Sequence, residues 1–232
     1  MTEAPTGDAA TTRQWRPRDA GLAVFVGLLA SVVAVVALGG DADTLQLFGV
    51  VVPAQSLATL LVLALLSRRR PPWRTAVRAT IELSDVAGLL IGAGLQFALS
   101  ILAYWLVVGL FGGEAPTQEV VEAAAGAISP AERLVVLFGV GVLAPVSEEF
   151  VFRGVLLSAW RRTRGDRFAV VASAATFAGL HLIDPNAILA VPFLFVVGIV
   201  AARSVVRTGR LGRAVMIHIG FNLVTVIALF TV

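Results

Sequence analysis

Long apolar segments, separated by short polar turns, repeat along the chain from about residue 20 to its end. Each segment holds about 20 residues, the length that an α-helix needs to cross a bilayer at ~1.5 Å rise per residue. The first segment is too long for the apolar core of a signal peptide, so we expect a retained helix. The pattern predicts an all-α, polytopic membrane helix bundle with seven transmembrane helices, at residues 20–39, 45–67, 86–111, 133–159, 168–184, 187–206 and 212–231.

The helices and their connections divide the chain into three regions. Residues 1–19 are predicted to form a tail, 20–84 two helices and an arginine-rich loop, and 85–232 a core of five further helices. Within this core, the acidic, alanine-rich run at 119–127 predicts a short surface helix. We expect that helix to be a solvated connector rather than a gate for substrate.

Composition supports a membrane protein. Hydrophobic residues make up 58% of the 232 residues and charged residues 14%, against ~25% charged residues in soluble domains. A soluble globule of this size could not bury so much apolar surface. The chain has no cysteine, which excludes disulfides, thiolate metal sites and a cysteine nucleophile.

The arginines fix a predicted orientation. All 18 basic residues are arginines, and 16 of them fall at alternate helix connections, on one side of the membrane. The positive-inside rule makes that side cytoplasmic, so we expect the N-terminus inside and the C-terminus outside the plasma membrane. The net charge of +3 therefore reflects membrane orientation, and we expect a lipid bilayer rather than a nucleic acid as the partner.

A few polar side chains occur where only apolar ones are expected. They lie on the fourth, fifth and seventh predicted helices, about 9 to 20 Å from the arginine-rich ends at ~1.5 Å per residue. Ionisable groups in hydrocarbon are costly and usually mark function. We therefore expect a shared polar site formed by Glu148, Glu149, Arg153, His181, His218 and Asn222.

The spacing of these residues predicts which of them pair with each other and which carboxylate is left unpaired. Glu149 and Arg153 are separated by four residues and can pair, which would neutralise two buried charges. Glu148 is then left as the unpaired carboxylate, suited to be a general base. His218 and Asn222, also four residues apart, would project from one helix face.

Four functions remain open from these residue types. A carboxylate, a histidine and further donors could hydrolyse a bond by activating water. Glu148, His181 and His218 could instead bind zinc, with one position left for water. A proton relay in a transporter and purely structural hydrogen bonding between helices are the other two.

The three motifs, taken together, resemble a known family. Glu-Glu-x-x-x-Arg at 148–153, Phe-x-x-x-His at 177–181 and His-x-x-x-Asn at 218–222 are similar to those of the CPBP family. This family, also called ABI, contains the type II CAAX prenyl proteases and bacterial relatives. The resemblance implies an intramembrane protease that hydrolyses a peptide bond in a membrane-embedded or lipid-associated protein or peptide.

The resemblance also implies roles for individual residues. Glu148 matches the general base, and His181 a residue that orients the attacking water. His218 and Asn222 match the oxyanion site, while Glu149 completes the first motif. Arg153 completes it too and is expected to be structural.

The cofactor and the biological role are separate questions. The family has been described both as metalloproteases and as glutamate proteases; we favour no cofactor, with Zn²⁺ as the alternative. We expect substrate to reach the site from the cytoplasmic half of the bilayer. The alternative function is a catalytically silent membrane scaffold or bacteriocin-immunity-type protein with the same polar core.

Overall fold

The computed structural model describes residues 14–69, 79–112 and 117–231. The predicted tail lies mostly outside these ranges. Within them the structure is helical, and the main helices are α1 (Pro17–Ala37), α2 (Thr44–Ser67), α3 (Ala87–Phe111), α4 (Glu119–Ala125), the long stretch Pro130–Ile183, α7 (Val191–Thr208) and α8 (Gly212–Leu229). Short 3₁₀ turns at Leu83–Val86, His181–Ile183 and Pro185–Leu189 complete them.

The long stretch of 54 residues is two helices joined by a sharp turn. Gly165, with φ of 79° and ψ of 171°, lies outside helical geometry in a region that glycine adopts readily. A straight helix would separate Ser173 from Phe152 by about 30 Å, yet the Ser173 hydroxyl donates to the Phe152 carbonyl at 2.9 Å. The chain therefore doubles back at Gly165, which divides the stretch into α5 (130–164) and α6 (166–180).

This division agrees with the predicted bundle. The described residues contain six stretches long and apolar enough to cross a membrane, and the hairpin at Gly165 turns one of them into two. The all-helical, polytopic architecture is thus as predicted, including the short helix α4.

Helix α3 packs closely on α8 because glycines line the contact. A Cβ at Gly92 would meet the backbone carbonyl of Ile217, and one at Gly88 would come within 2.8 Å of the Arg213 carbonyl. Small residues at such positions let helix backbones approach each other. Since α8 carries His218, this contact helps to fix the position of the candidate site.

We predict that Gly92→Ala lowers the stability of the protein by about 1–3 kcal/mol, because the added methyl group collides with fixed backbone. Gly94→Ala is the matched control, since a Cβ there meets nothing within 4 Å. Thermal unfolding in detergent measures the stability of both variants. Equal unfolding temperatures for the two variants would show that the α3–α8 contact is not tight.

Candidate active site

One carboxylate oxygen joins the polar residues of two helices. Oε1 of Glu149 accepts hydrogen bonds from Nη1 of Arg153 at 2.8 Å and from Nδ1 of His218 at 2.9 Å. Glu149 and Arg153 are both 0% exposed. The predicted pairing of these two residues on α5 is confirmed, and His218 from α8 is a third member of the cluster.

Aromatic and backbone groups surround the buried guanidinium. Arg153 donates through Nη2 to the Gly198 carbonyl of α7 at 3.2 Å, and its Cζ lies 4.7 Å from the centre of the Phe177 ring. The same ring makes edge-on contacts with His181 at 5.0 Å and with His218 at 5.3 Å between ring centres. Phe177 thus packs against both imidazoles and the guanidinium.

The two adjacent glutamates face different surroundings. Glu149 is enclosed, whereas the Glu148 side chain is 31% exposed and lines a cavity. Oε2 of Glu148 lies 3.6 Å from Nε2 of His218. The His218 ring is therefore held from behind by Glu149 and directs its other nitrogen toward Glu148.

The cavity has a volume of about 560 Å³ and brings together four of the six predicted site residues, Glu148, His181, His218 and Asn222. Three helices supply them, as expected from their matched depths. Glu149 and Arg153 are absent from its lining. These two residues therefore support the wall of the cavity from behind.

His181 lies where α6 ends and tightens into a 3₁₀ turn. Its Nδ1 lies 3.0 Å from the Phe177 carbonyl, which can only accept, so Nδ1 carries the hydrogen and Nε2 is left free. The alternative zinc site requires at least three converging ligands. In the part of the chain that the structure describes, no three His, Asp or Glu side chains are grouped to hold a metal ion.

Asn222 completes a hydrogen-bonding pattern that a proline interrupts. A π-helical turn spans Gly139–Leu143, and its closing bond runs from the Ala144 N–H to the Gly139 carbonyl. In the same i to i+5 pattern, the Val140 carbonyl would accept a hydrogen bond from the backbone N–H of residue 145. That residue is Pro145, which has no backbone N–H. Nδ2 of Asn222 donates to that carbonyl instead, at 2.9 Å.

Sequence reasoning did not identify the contribution of α2. Gln55, Ser56 and Thr59 line the cavity, and α2 packs against the Ala144–Glu149 segment that carries Glu148. Their spacing in the sequence could have revealed them, because polar residues at positions i, i+1 and i+4 of an apolar helix lie on one side of that helix. Ser56 is 3% exposed and Thr59 6% exposed.

The cavity opens at the arginine-poor ends of the helices. Its exposed lining residues are Glu119, Val120 and Ile183, and the N–H of Glu119 donates to Oδ2 of Asp184 at 2.9 Å. Helix α4 therefore borders the mouth instead of serving only as a connector. The expected access from the arginine-rich half is wrong, because α4 and Ile183 lie at the opposite end.

Comparison with known families agrees with this site. Residues 130–224 match the family model described as Type II CAAX prenyl endopeptidase Rce1-like. This match, which runs from α5 to α8, supports the CPBP family of CAAX protease-like proteins that the motifs predicted. The family indicates a protease that works within the membrane. No curated protein and no solved structure gives a significant match to the chain.

We predict that Arg153→Met destabilises the protein by about 3–5 kcal/mol, because it leaves the buried Glu149 carboxylate without its cation. Arg161→Met removes the same side chain from an ion pair with Asp166, also at 2.8 Å but exposed. That control should change stability by less than about 1 kcal/mol. Thermal unfolding in detergent measures the loss of stability in each variant. Equal losses for Arg153→Met and Arg161→Met would show that the buried ion pair has no structural role.

Proposed function

We propose that the protein is an intramembrane endopeptidase of the glutamate type, with Glu148 as the general base. The observation that carries this proposal is the division between the two glutamates. Glu148 faces the cavity, where water and substrate can reach it, while Glu149 is enclosed and orients His218. A base and an oriented imidazole at one cavity wall are the elements that activated-water hydrolysis needs.

The chemical step follows from this arrangement. The water oxygen attacks the carbonyl carbon of the scissile peptide bond while Glu148 takes one of the water protons. His181 accepts a hydrogen bond from the other water proton through its free Nε2. When the carbon–nitrogen bond breaks, Glu148 returns its proton to the departing nitrogen, so the products are a new carboxyl terminus and an amine.

His218 and Asn222 are proposed to stabilise the oxyanion. Nε2 of His218 lies on the Glu148 side of the ring, 3.6 Å from Oε2 of Glu148, and is proposed to be the donor. An oxygen beside this pair of atoms can contact both of them. Asn222 has a second amide hydrogen beyond the one bound to Val140.

A metal-free mechanism is preferred because the described residues contain no group of three His, Asp or Glu side chains arranged to hold a metal ion. Electrostatic stabilisation by fixed hydrogen-bond donors, here proposed on His218 and Asn222, can supply a large part of a rate enhancement without an ion. The proposed substrate is a membrane-embedded or lipid-associated peptide or protein, cleaved in a bacterial plasma membrane.

We predict that Glu148→Gln lowers kcat by about 10²- to 10⁴-fold, because the amide cannot accept a proton from water. The assay is mass spectrometry of a membrane-peptide library incubated with purified protein in nanodiscs. Glu122→Gln, at an exposed position of α4 outside the cavity lining, is the matched control and should cleave like the wild type. Cleavage should persist in EDTA.

Each other outcome of this assay points to a different function. Loss of cleavage in EDTA, restored by Zn²⁺, would establish a metalloprotease in place of the glutamate mechanism. Absence of cleavage by the wild type, with the cellular function intact in Glu148→Gln, would support the membrane scaffold. Cleavage that is equal in Glu148→Gln and Glu122→Gln would remove Glu148 from the chemistry.

A further inference from the structure

The cavity is closed at one end and open at the other. Among its lining residues, Ser56, Thr59 and Phe152 are buried, whereas Glu119 and Val120 at the mouth are exposed. The mouth lies beside α4, at the end of the helices that holds few arginines. By the positive-inside rule this end faces away from the cytoplasm.

Two polar side chains of α2 face this cavity with unused hydrogen-bonding capacity. Ser56 is 3% exposed, and its hydroxyl has no hydrogen-bond partner among the described residues. Gln55, on the same wall, has an amide that is likewise unpaired within the described part. The neighbouring Thr59 hydroxyl, in contrast, donates to the Gln55 carbonyl at 2.8 Å.

Unpaired polar groups at membrane depth call for a partner, because lipid offers none. Gln55 provides two donors and an acceptor, and Ser56 provides one donor and two acceptor positions. A peptide backbone is the ligand that presents N–H donors and carbonyl acceptors alternately along an extended segment. The segment of α5 that packs against α2 carries Glu148, so a backbone bound to these groups would lie beside the proposed base.

We infer that the substrate is an extended peptide segment on the arginine-poor, extracytoplasmic side of the membrane, which enters beside α4 and hydrogen-bonds to Gln55 and Ser56. These two residues form a peptide-backbone subsite contributed by α2, outside the matched residues 130–224. The inference rests on the proposed peptidase function. It assigns substrate selection to the N-terminal helices and bond cleavage to the later ones.

The side of entry is tested by cysteine labelling, which is unambiguous because the natural chain has no cysteine. Val120→Cys places a thiol at the mouth, and Thr163→Cys places one beside the Gly165 turn at the arginine-rich end. A membrane-impermeant maleimide added to intact cells should label Val120→Cys alone, with Thr163→Cys labelled only after permeabilisation. The reverse pattern, or a Val120→Cys that stays unlabelled in both conditions, overturns entry from this side.

The subsite is tested by binding, without hydrolysis, in the Glu148→Gln background. The probe is a fluorescein-labelled copy of the library peptide that this protein retains best in nanodiscs. Gln55→Met and Ser56→Ala should each raise its Kd by about three- to tenfold, the loss expected for one or two hydrogen bonds. Gln96→Met and Ser100→Ala, on α3 outside the cavity lining, are the matched controls.

The outcomes separate the subsite from the catalytic proposal. An unchanged Kd in both α2 variants, or retention of no peptide at all, overturns the subsite. A raised Kd in these variants together with no cleavage by the wild type overturns hydrolysis and keeps the peptide subsite. In an active enzyme, the α2 variants should raise KM more than they lower kcat, since Gln55 and Ser56 contact backbone away from the reacting bond.

Discussion

The rest of the site depends on the hydrogen bonds that the Oε1 atom of Glu149 accepts. A carboxylate with no exposure to water must be matched by donors, and here both Arg153 and His218 donate to one oxygen. Arg153 in turn reaches the carbonyl of Gly198, where a Cβ would lie only 3.2 Å from its Nη2. This single requirement for charge compensation holds α5, α7 and α8 in one arrangement.

The irregular course of α5 follows from the same site. Its π-helical turns, Gly139–Leu143 and Phe150–Leu156, lie on either side of the ordinary helical segment Ala144–Glu149. Such turns occur often at functional sites because they rotate neighbouring side chains relative to a regular helix. Here the segment between them ends with the two glutamates, one directed into the cavity and the other toward α8. The proline in that segment leaves the Val140 carbonyl for Asn222.

The sequence predicted most of the bundle and part of the site, for identifiable reasons. Helix number follows from apolar length, which is a local property of the chain. The pairing of Glu149 with Arg153 was predictable because both lie on one helix. The bonds of His218 to Glu149 and of Asn222 to Val140 join residues 69 and 82 positions apart, and helix spacing alone does not specify them. The open end of the cavity was predicted wrongly, because depth was counted along single helices while the mouth depends on how α4 packs.

The distribution of the site over the chain separates two tasks. The matched domain, residues 130–224, holds the charged cluster, whose geometry is fixed by buried donors and tolerates little change. The facing wall comes from α1 and α2, through Val24, Leu28 and the polar residues of α2. Those helices contact the cluster segment by packing, without sharing its buried ion pair. If the proposed peptidase function holds, substitutions on that wall alter which peptide fits while leaving intact the charge compensation within the cluster.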